Sequence, residues 1–326
     1  MRHRIVLMAT VVTLGVGFQA SRLRRPSPPA PPTVGAIYKV ADNLYVVPGG
    51  GGNTAVFIAE SGVVLVDTKY ETSYQGMIEQ VRTITDKPIT HAVNTHFHGD
   101  HAEGNKYLPD GVEFVVQENT AQYLKKWNNV HGHPLQTFKD RRTLFSGKDA
   151  IDFYSFGPAH TDGDAIVVFR EARVMHVGDL FPKKAPPGIN LKWGGDRRTY
   201  ADNLDKAIGA IKDVERVITG HGEVLTWADF VEFAEFNHLL LEHARSVVAS
   251  GEDRHKAYLN WHVPKKFKGY ELGRTELTLG AIYRGLESDI GLRMLISASP
   301  QPGSRGIAEP SVPDDALPPH DEAADK

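Results

Sequence analysis

Apolar residues in this chain fall into short runs punctuated by turn residues, and the period of the runs changes along the sequence. Leu44-Tyr45-Val46-Val47 and Ala55-Val56-Phe57-Ile58 have the length and β-branched content of strands, with Gly49 to Gly52 between them. Val63-Val64-Leu65-Val66 is apolar at every position, the pattern of a strand buried on both faces, and it ends at Asp67. Met77, Ile78, Val81 and Ile84 are spaced for a helix over residues 74–84. Residues 90–94 and 113–116 read as strands and 120–127 as a helix. The second half repeats the style, with strands at 150–156, 165–169, 173–177 and 216–219 and helices at 200–211, 227–250 and 276–286. Two βα-rich halves of this kind predict an α/β protein. The expected form is an αββα four-layer sandwich of two mixed β-sheets flanked by helices, with a helical C-terminal extension.

The ends have a different composition. Arg2 and Arg4 precede an apolar run over residues 5–18, which is sized for the core of a signal peptide and short for a membrane span. Residues 1–25 are therefore expected to be a signal peptide, or an uncleaved N-terminal anchor that would be the protein's one membrane contact. Either reading places the protein in the periplasm or outside the cell. The Pro-rich segment 26–39 is expected to be a linker. Residues 40–230 should form the main domain and 231–298 the helical extension. Residues 299–326, rich in Pro, Asp and Glu, should form a disordered tail.

Composition narrows the chemistry. At 326 residues with 41% hydrophobic content, the chain can bury a substantial core. A formal net charge of -3 argues against a nucleic-acid partner, whose phosphates call for a basic surface, and leaves a small-molecule substrate as the expected partner. Oligomeric state leaves no mark in the pattern. There is no cysteine, so any metal must be held by nitrogen and oxygen.

The run Thr95-His96-Phe97-His98-Gly99-Asp100-His101 concentrates such ligands. Imidazole and carboxylate suit a catalytic transition metal. In extended backbone, His96 and His98 put both rings on one side. Asp100 and His101 follow where a turn could aim them at a second nearby point, and Asp100 is also a plausible helix N-cap. This many ligands so close together suit two metals sharing a water better than one. Asp179 and His221 each follow a predicted strand end, and His160 lies in the turn between two strands.

Taken in order, Asp67, the His96-x-His98-x-Asp100-His101 cluster, His160, Asp179 and His221 resemble the five motifs of the metallo-β-lactamase superfamily. The resemblance spans about residues 40–230. It implies that His96, His98 and His160 hold a first metal, that Asp100, His101 and His221 hold a second, and that Asp179 bridges them. Asp67 would hold the ligand loop by hydrogen bonds. Two zinc ions are the implied cofactor, with iron or manganese also compatible with these donors. The implied reaction is hydrolysis of a small ester, amide or thioester by a hydroxide bridging the metals, with Asp100 as the catalytic residue that orients the nucleophile and passes a proton to the leaving group. A true β-lactamase is one alternative, although the best-known β-lactamase groups carry Cys or Ser where this chain has Asp179. A non-hydrolytic metal-binding or redox protein on the same fold is another. Asp164 departs from the His of the usual glyoxalase II pattern.

Several other features invite a functional reading. Lys183, close after Asp179, is a candidate anchor for a substrate carboxylate; solvated loop charge is the plainer reading of Lys183, Lys184 and Lys192. His131 and His133 read as a surface loop, His176 as structural, and His238 and His243 as helix surface or core. Phe230, Phe233 and Phe236 read as a packing face. Gly49 to Gly52 lacks the residues of a phosphate loop and reads as a flexible hairpin over the edge of the site.

Overall fold

The computed structural model describes the backbone of residues 33–298 and the side chains up to residue 288. The expected signal or anchor and the expected C-terminal tail lie outside the described residues. A seven-stranded sheet contains β1 (Tyr38–Ala41), β2 (Leu44–Val47), β3 (Thr54–Ile58), β4 (Val63–Val66), β5 (Ile89–Val93), β6 (Glu113–Gln117) and β7 (Leu135–Phe138), in that spatial order. It is antiparallel from β1 to β4 and parallel from β4 to β7. The parallel steps need crossovers, which α1 (Glu71–Arg82), α2 (Gly99–Ala102) and α3 (Glu118–Lys126) supply.

The second sheet has six strands in the order β13-β12-β11-β10-β9-β8. They are β8 (Arg141–Leu144), β9 (Ile151–Tyr154), β10 (Ile166–Phe169), β11 (Val174–His176), β12 (Arg216–Ile218) and β13 (Val224–Thr226). Only β11 and β12 pair in parallel, joined through α4 (Tyr200–Ala210).

The alternation of side chains along a strand sorts the core into three layers. Ala55, Phe57, Val64 and Val66 point between the sheets and meet Phe153, Val167, Phe169 and Val174, with the rings of Phe57 and Phe169 5.2 Å apart. Their neighbours Val56, Val63 and Leu65 point outward under Met77 and Val81 of α1 and Leu124 of α3. The outer face of the second sheet, including Val168, Met175 and Val217, packs under α4, α5 (Trp227–Ser250), α6 (Arg254–Asn260) and α7 (Thr275–Ala298). This is the expected αββα sandwich with a helical C-terminal region.

Helix α5 starts on a capping box, in which Thr226 and Asp229 each satisfy the other's backbone N–H, and stops at Gly251 in the left-handed conformation (φ 68°). Phe230, Phe233 and Phe236 are fully buried, and Phe233 stacks on Phe181 at 4.3 Å. They form a packing face, as expected. The expected boundary between residues 230 and 231 falls inside α5, whose two ends share one core with the second sheet. The expected linker over 26–39 also ends early. Val34 bridges Gly49, Gly35 N–H donates to Pro48 O at 2.8 Å, and β1 begins at Tyr38.

The stretch from Gly49 to Asn53 is not the flexible hairpin the sequence suggested. Gly50, Gly52 and Asn53 are buried. Gly52 N–H donates to Asp100 O at 3.0 Å, and Asn53 N–H to Gly220 O at 2.7 Å. From below, the fully buried Lys69 ammonium donates to Val47 O at 2.9 Å and Gly52 O at 2.7 Å. Backbone carbonyls deep in the fold need such a donor, and this one closes the glycine loop at both ends. Burial pulls the Lys69 pKa down to about 7, against the opposing pull of Asp67 and Asp100.

Two stability predictions follow from this packing. Phe233→Ala should cost about 3–5 kcal/mol in urea unfolding and keep a single transition. An unchanged midpoint would detach the C-terminal helices from the core. Lys69→Met should cost about 1–3 kcal/mol by stranding two buried carbonyls. Between about pH 7 and the ordinary lysine value of 10.5, the unfolded chain holds a proton that the folded chain does not. The stability of chelator-treated wild type relative to Lys69→Met should therefore rise across that window. A flat or falling difference would contradict the assignment.

Candidate metal centre

Strand ends from both sheets meet at one edge of the sandwich. In the first sheet, the parallel pair β4 and β5 delivers Asp67 and the His96–His101 run. In the second, the parallel pair β11 and β12 delivers Asp179 and His221. The connection from β9 to β10 brings His160 in from the side, and Ala165 N–H donates across to Thr95 O at 2.7 Å.

Asp67 organises the first strand end. It stands in the left-handed region (φ 66°), and its buried carboxylate accepts from Thr95 N–H at 2.8 Å, Thr95 Oγ1 at 2.8 Å and His101 Nδ1 at 2.7 Å. Committing Nδ1 to Asp67 turns His101 Nε2 into the site. Thr95 Oγ1 also lies 3.2 Å from His96 Nδ1, which leaves His96 Nε2 facing inward. His160 Nδ1 donates to Gly188 O at 2.9 Å. The side-chain amide of Asn190 sits 3.0 Å from His98 Nε2, so His98 presents Nδ1.

The three inward nitrogens converge. His98 Nδ1 is 3.0 Å from both His96 Nε2 and His160 Nε2. Burial, reinforced by neighbouring imidazoles, drives His98 down to about 3 and His96 well below its ordinary value. Neutral rings with lone pairs aimed at a common point are what a metal requires. Tetrahedral zinc would hold such nitrogens about 3.3 Å apart, close to the spacing here.

The second cluster is built from opposite charges. His221 Nε2 lies 3.2 Å from Asp100 Oδ2 and 3.2 Å from Asp179 Oδ1. His101 Nε2 lies 3.3 Å from Asp100 Oδ2, 3.5 Å from Asp179 Oδ1 and 3.4 Å from His221 Nε2. Asp179 turns its other oxygen toward the first cluster, with Oδ2 3.6 Å from His160 Nε2. Burial alone would lower the two histidines. Instead Asp179 and Asp100 raise His221 to about 10, and Asp100, Asp67 and Asp179 hold His101 well above its ordinary value. Burial likewise opposes ionisation of Asp100 and Asp179, yet His101 and His221 keep both well below the carboxylate range.

This donor set fits a pair of metal ions. Both oxygens of Asp100 and Oδ1 of Asp179 are buried without a hydrogen-bond partner. Three groups capable of holding an ion emerge: His96, His98 and His160; His96, His101 and Asp179; and Asp100, His101 and His221. Glycines make room for them. A Cβ on Gly52 would lie 2.3 Å from His101 Cε1, and one on Gly220 2.0 Å from Asp179 Oδ1.

The structure brings all seven expected ligands and Asp67 together. It corrects one local expectation. Asp100 does not cap α2, because His98 occupies the cap position and its carbonyl accepts the first helical N–H groups. That leaves the Asp100 side chain inside the helix and free to face His101 and His221. Lys183 lines the cavity beside Asp179 and His221, and its ammonium pairs with Glu271 at 2.7 Å. Lys184 pairs with Asp229, and Lys192 lies over the Trp193 ring. His133 meets Phe114 in a T-shaped contact, and His176 bonds the backbone of Asn53 and Gly178. His238 pairs with Asp205, and His243 stacks on Trp261.

Asn190 and Lys69 support the site without any signal in the sequence, since their partners are distant along the chain. A cavity of 250 Å³ opens beside His98 and His160, walled by the loop from Pro187 to Leu191 and by α7 with the turn before it.

Comparison with known proteins agrees with this geometry. The family model described as the metallo-β-lactamase superfamily matches residues 47–221, which hold every residue of the centre. A metallo-β-lactamase type 2 from Elizabethkingia meningoseptica is 24% identical over 228 residues, covering 66% of this chain and 88% of the relative. Metallo-β-lactamase IND-1 from Chryseobacterium indologenes is 22% identical, covering 52% of this chain and 72% of the relative. Among solved structures, the inverting sec-alkylsulfatase Pisa1 from Pseudomonas sp. superposes with a TM-score of 0.67 at 15% identity, over 76% of this chain and 50% of that one. The chain thus spans about half the length of the sulfatase. DIM-1 metallo-β-lactamase superposes with a TM-score of 0.53 at 19% identity, over 64% of this chain and 99% of that one. With the fold, the motif order and the convergent donors in agreement, the chain belongs to the metallo-β-lactamase superfamily of metal-dependent hydrolases.

Proposed function

We propose that the protein is an exported dinuclear zinc hydrolase acting on a small ester, amide or thioester. The observation that carries this reading is the convergence of His96, His98 and His160 beside Asp100, His101 and His221, with Asp179 between them and three buried carboxylate oxygens lacking a hydrogen-bond partner. Zinc ions bound there would supply a water acidified toward neutrality and a Lewis acid for the substrate's carbonyl oxygen.

The chain's own residues do the rest. Asp67 fixes His101 and, through Thr95, the backbone leading to His96. Asn190 and Gly188 fix His98 and His160. Asp100, inside the first turn of α2, orients the nucleophile and carries the proton to the leaving group. The Gly49–Asn53 loop and the helices exclude bulk water from the ligands, which are buried apart from a partly open His221. Export is supported by the basic residues and apolar run at the N-terminus. Among the described residues, no helix is long and apolar enough to cross a membrane. β-Lactam hydrolysis is the second reading, favoured by the names of the curated relatives.

Mass spectrometry of the purified protein should find two zinc ions per chain; two irons would point to redox chemistry instead. Turnover of nitrocefin above that of S-lactoylglutathione and simple esters would select the β-lactamase reading. His98→Ala and Asp100→Asn should each lower kcat by about 10²–10⁴-fold while circular dichroism and thermal unfolding remain those of a folded protein. A folded, metal-loaded and fully active Asp100→Asn protein would sink the assignment. Gly52→Ala and Gly220→Ala should deplete metal from the Asp100 side of the centre, because each Cβ lands on a ligand. Gly209→Ala, which meets nothing within 4 Å, should retain full metal content.

A further inference from the structure

One wall of the centre's mouth is built by chain that lies beyond the family match. Arg274, Leu277, Thr278, Ala281 and Arg284 recur at helical spacing on one face of α7 and the turn before it. All five line the cavity whose opposite wall holds His98 and His160. Arg274 also lines the smaller cavity beside Asp179 and His221, so one guanidinium borders both halves of the centre. On the His160 side Gly188 stands between them: a Cβ there would lie 3.7 Å from His160 Cε1 and 4.0 Å from Arg274 Nη2. Thr278 Oγ1 donates to Pro187 O at 3.1 Å, which holds α7 in register with the loop that orients His160.

Between the two arginines the helix turns Leu277, Thr278 and Ala281 to the cavity. Ile189 and Leu191 come from the loop, and Leu277 from the helix. Leu277 is 62% exposed, one of few large apolar side chains among the described residues left open to solvent. Two arginines sharing one cavity with Ile189, Leu191 and Leu277 suit a ligand with an apolar body and an oxyanion, because a guanidinium forks onto carboxylate, sulfate or phosphate oxygens.

We propose that Arg274 and Arg284 select an amphiphilic anion as substrate, in which a non-scissile oxyanion pairs with Arg274 while the apolar body lies along Ile189, Leu191 and Leu277. This rests on the hydrolase reading of the same centre and names its substrate class.

The test compares p-nitrophenyl hydrogen glutarate with its neutral counterpart p-nitrophenyl pentanoate on the zinc-loaded protein. It also measures octanoate binding to metal-free protein by calorimetry. Wild type should prefer the anionic ester about tenfold or more in kcat/KM, chiefly through KM, and the preference should shrink at high salt. Arg274→Ala should bring the ratio toward one and weaken octanoate binding about tenfold, with Arg274→Lys recovering part of both. Equal use of the two esters by wild type, or an Arg274→Ala protein that keeps the ratio or loses both activities by one factor, would overturn the proposal. Hydrolysis of neither ester, with octanoate binding that still depends on Arg274, would overturn the hydrolase reading and leave the anion site standing.

Discussion

The hydrogen bonds of one buried carboxylate hold the centre in shape. Asp67 accepts from Thr95 twice and from His101 once, and so joins the end of β4, the end of β5 and the short helix α2 at one point. Each bond fixes something different. The backbone bond sets where the chain turns toward His96. The hydroxyl bond passes on to His96 Nδ1 through Thr95. The imidazole bond decides which nitrogen of His101 faces the site. Asp67 sits at a positive φ to do this, a strained position for an L-residue that the surrounding bonds must over-determine.

The rest of the centre is a problem of packing charge. Asp100 and Asp179 are buried, and burial disfavours their charge. In the protein alone, His101 and His221 supply the balancing charge, and the carboxylate oxygens still lack hydrogen-bond partners. Ions at these positions would meet those oxygens and release the histidine protons. The glycine loop from Gly49 to Gly52 belongs to the same problem. It lies so close beneath His101 and Asp100 that side chains would collide there, and a buried lysine bonds the carbonyls of Val47 and Gly52 at its two ends.

Both sheets contribute to the centre, but helices beyond the family match shape its entrance. The core under α5 and α7 is continuous with the second sheet, so the position of α7 is held by the same packing that holds β11 and β12. The mouth is thereby coupled to a part of the chain that contributes none of the candidate ligands.

The amino-acid sequence by itself determined the layered α/β class and singled out the seven candidate ligands. Strands buried on both faces leave unbroken apolar runs, and metal chemistry permits few side-chain types at close spacing. Edge strands escaped this reading: β8 is Arg-Arg-Thr-Leu with one buried side chain, so it carries almost no apolar signal. The role of Asp100 inside α2 rather than at its cap, the tight packing of the glycine loop and the burial of Lys69 emerged only in three dimensions. Asn190 lies 92 residues from the histidine it orients, and Arg274 borders the centre from the turn before α7, outside the motifs. Local spacing encodes which atoms can bind a metal. What surrounds those atoms depends on contacts between distant segments, and only the packed tertiary structure decides them.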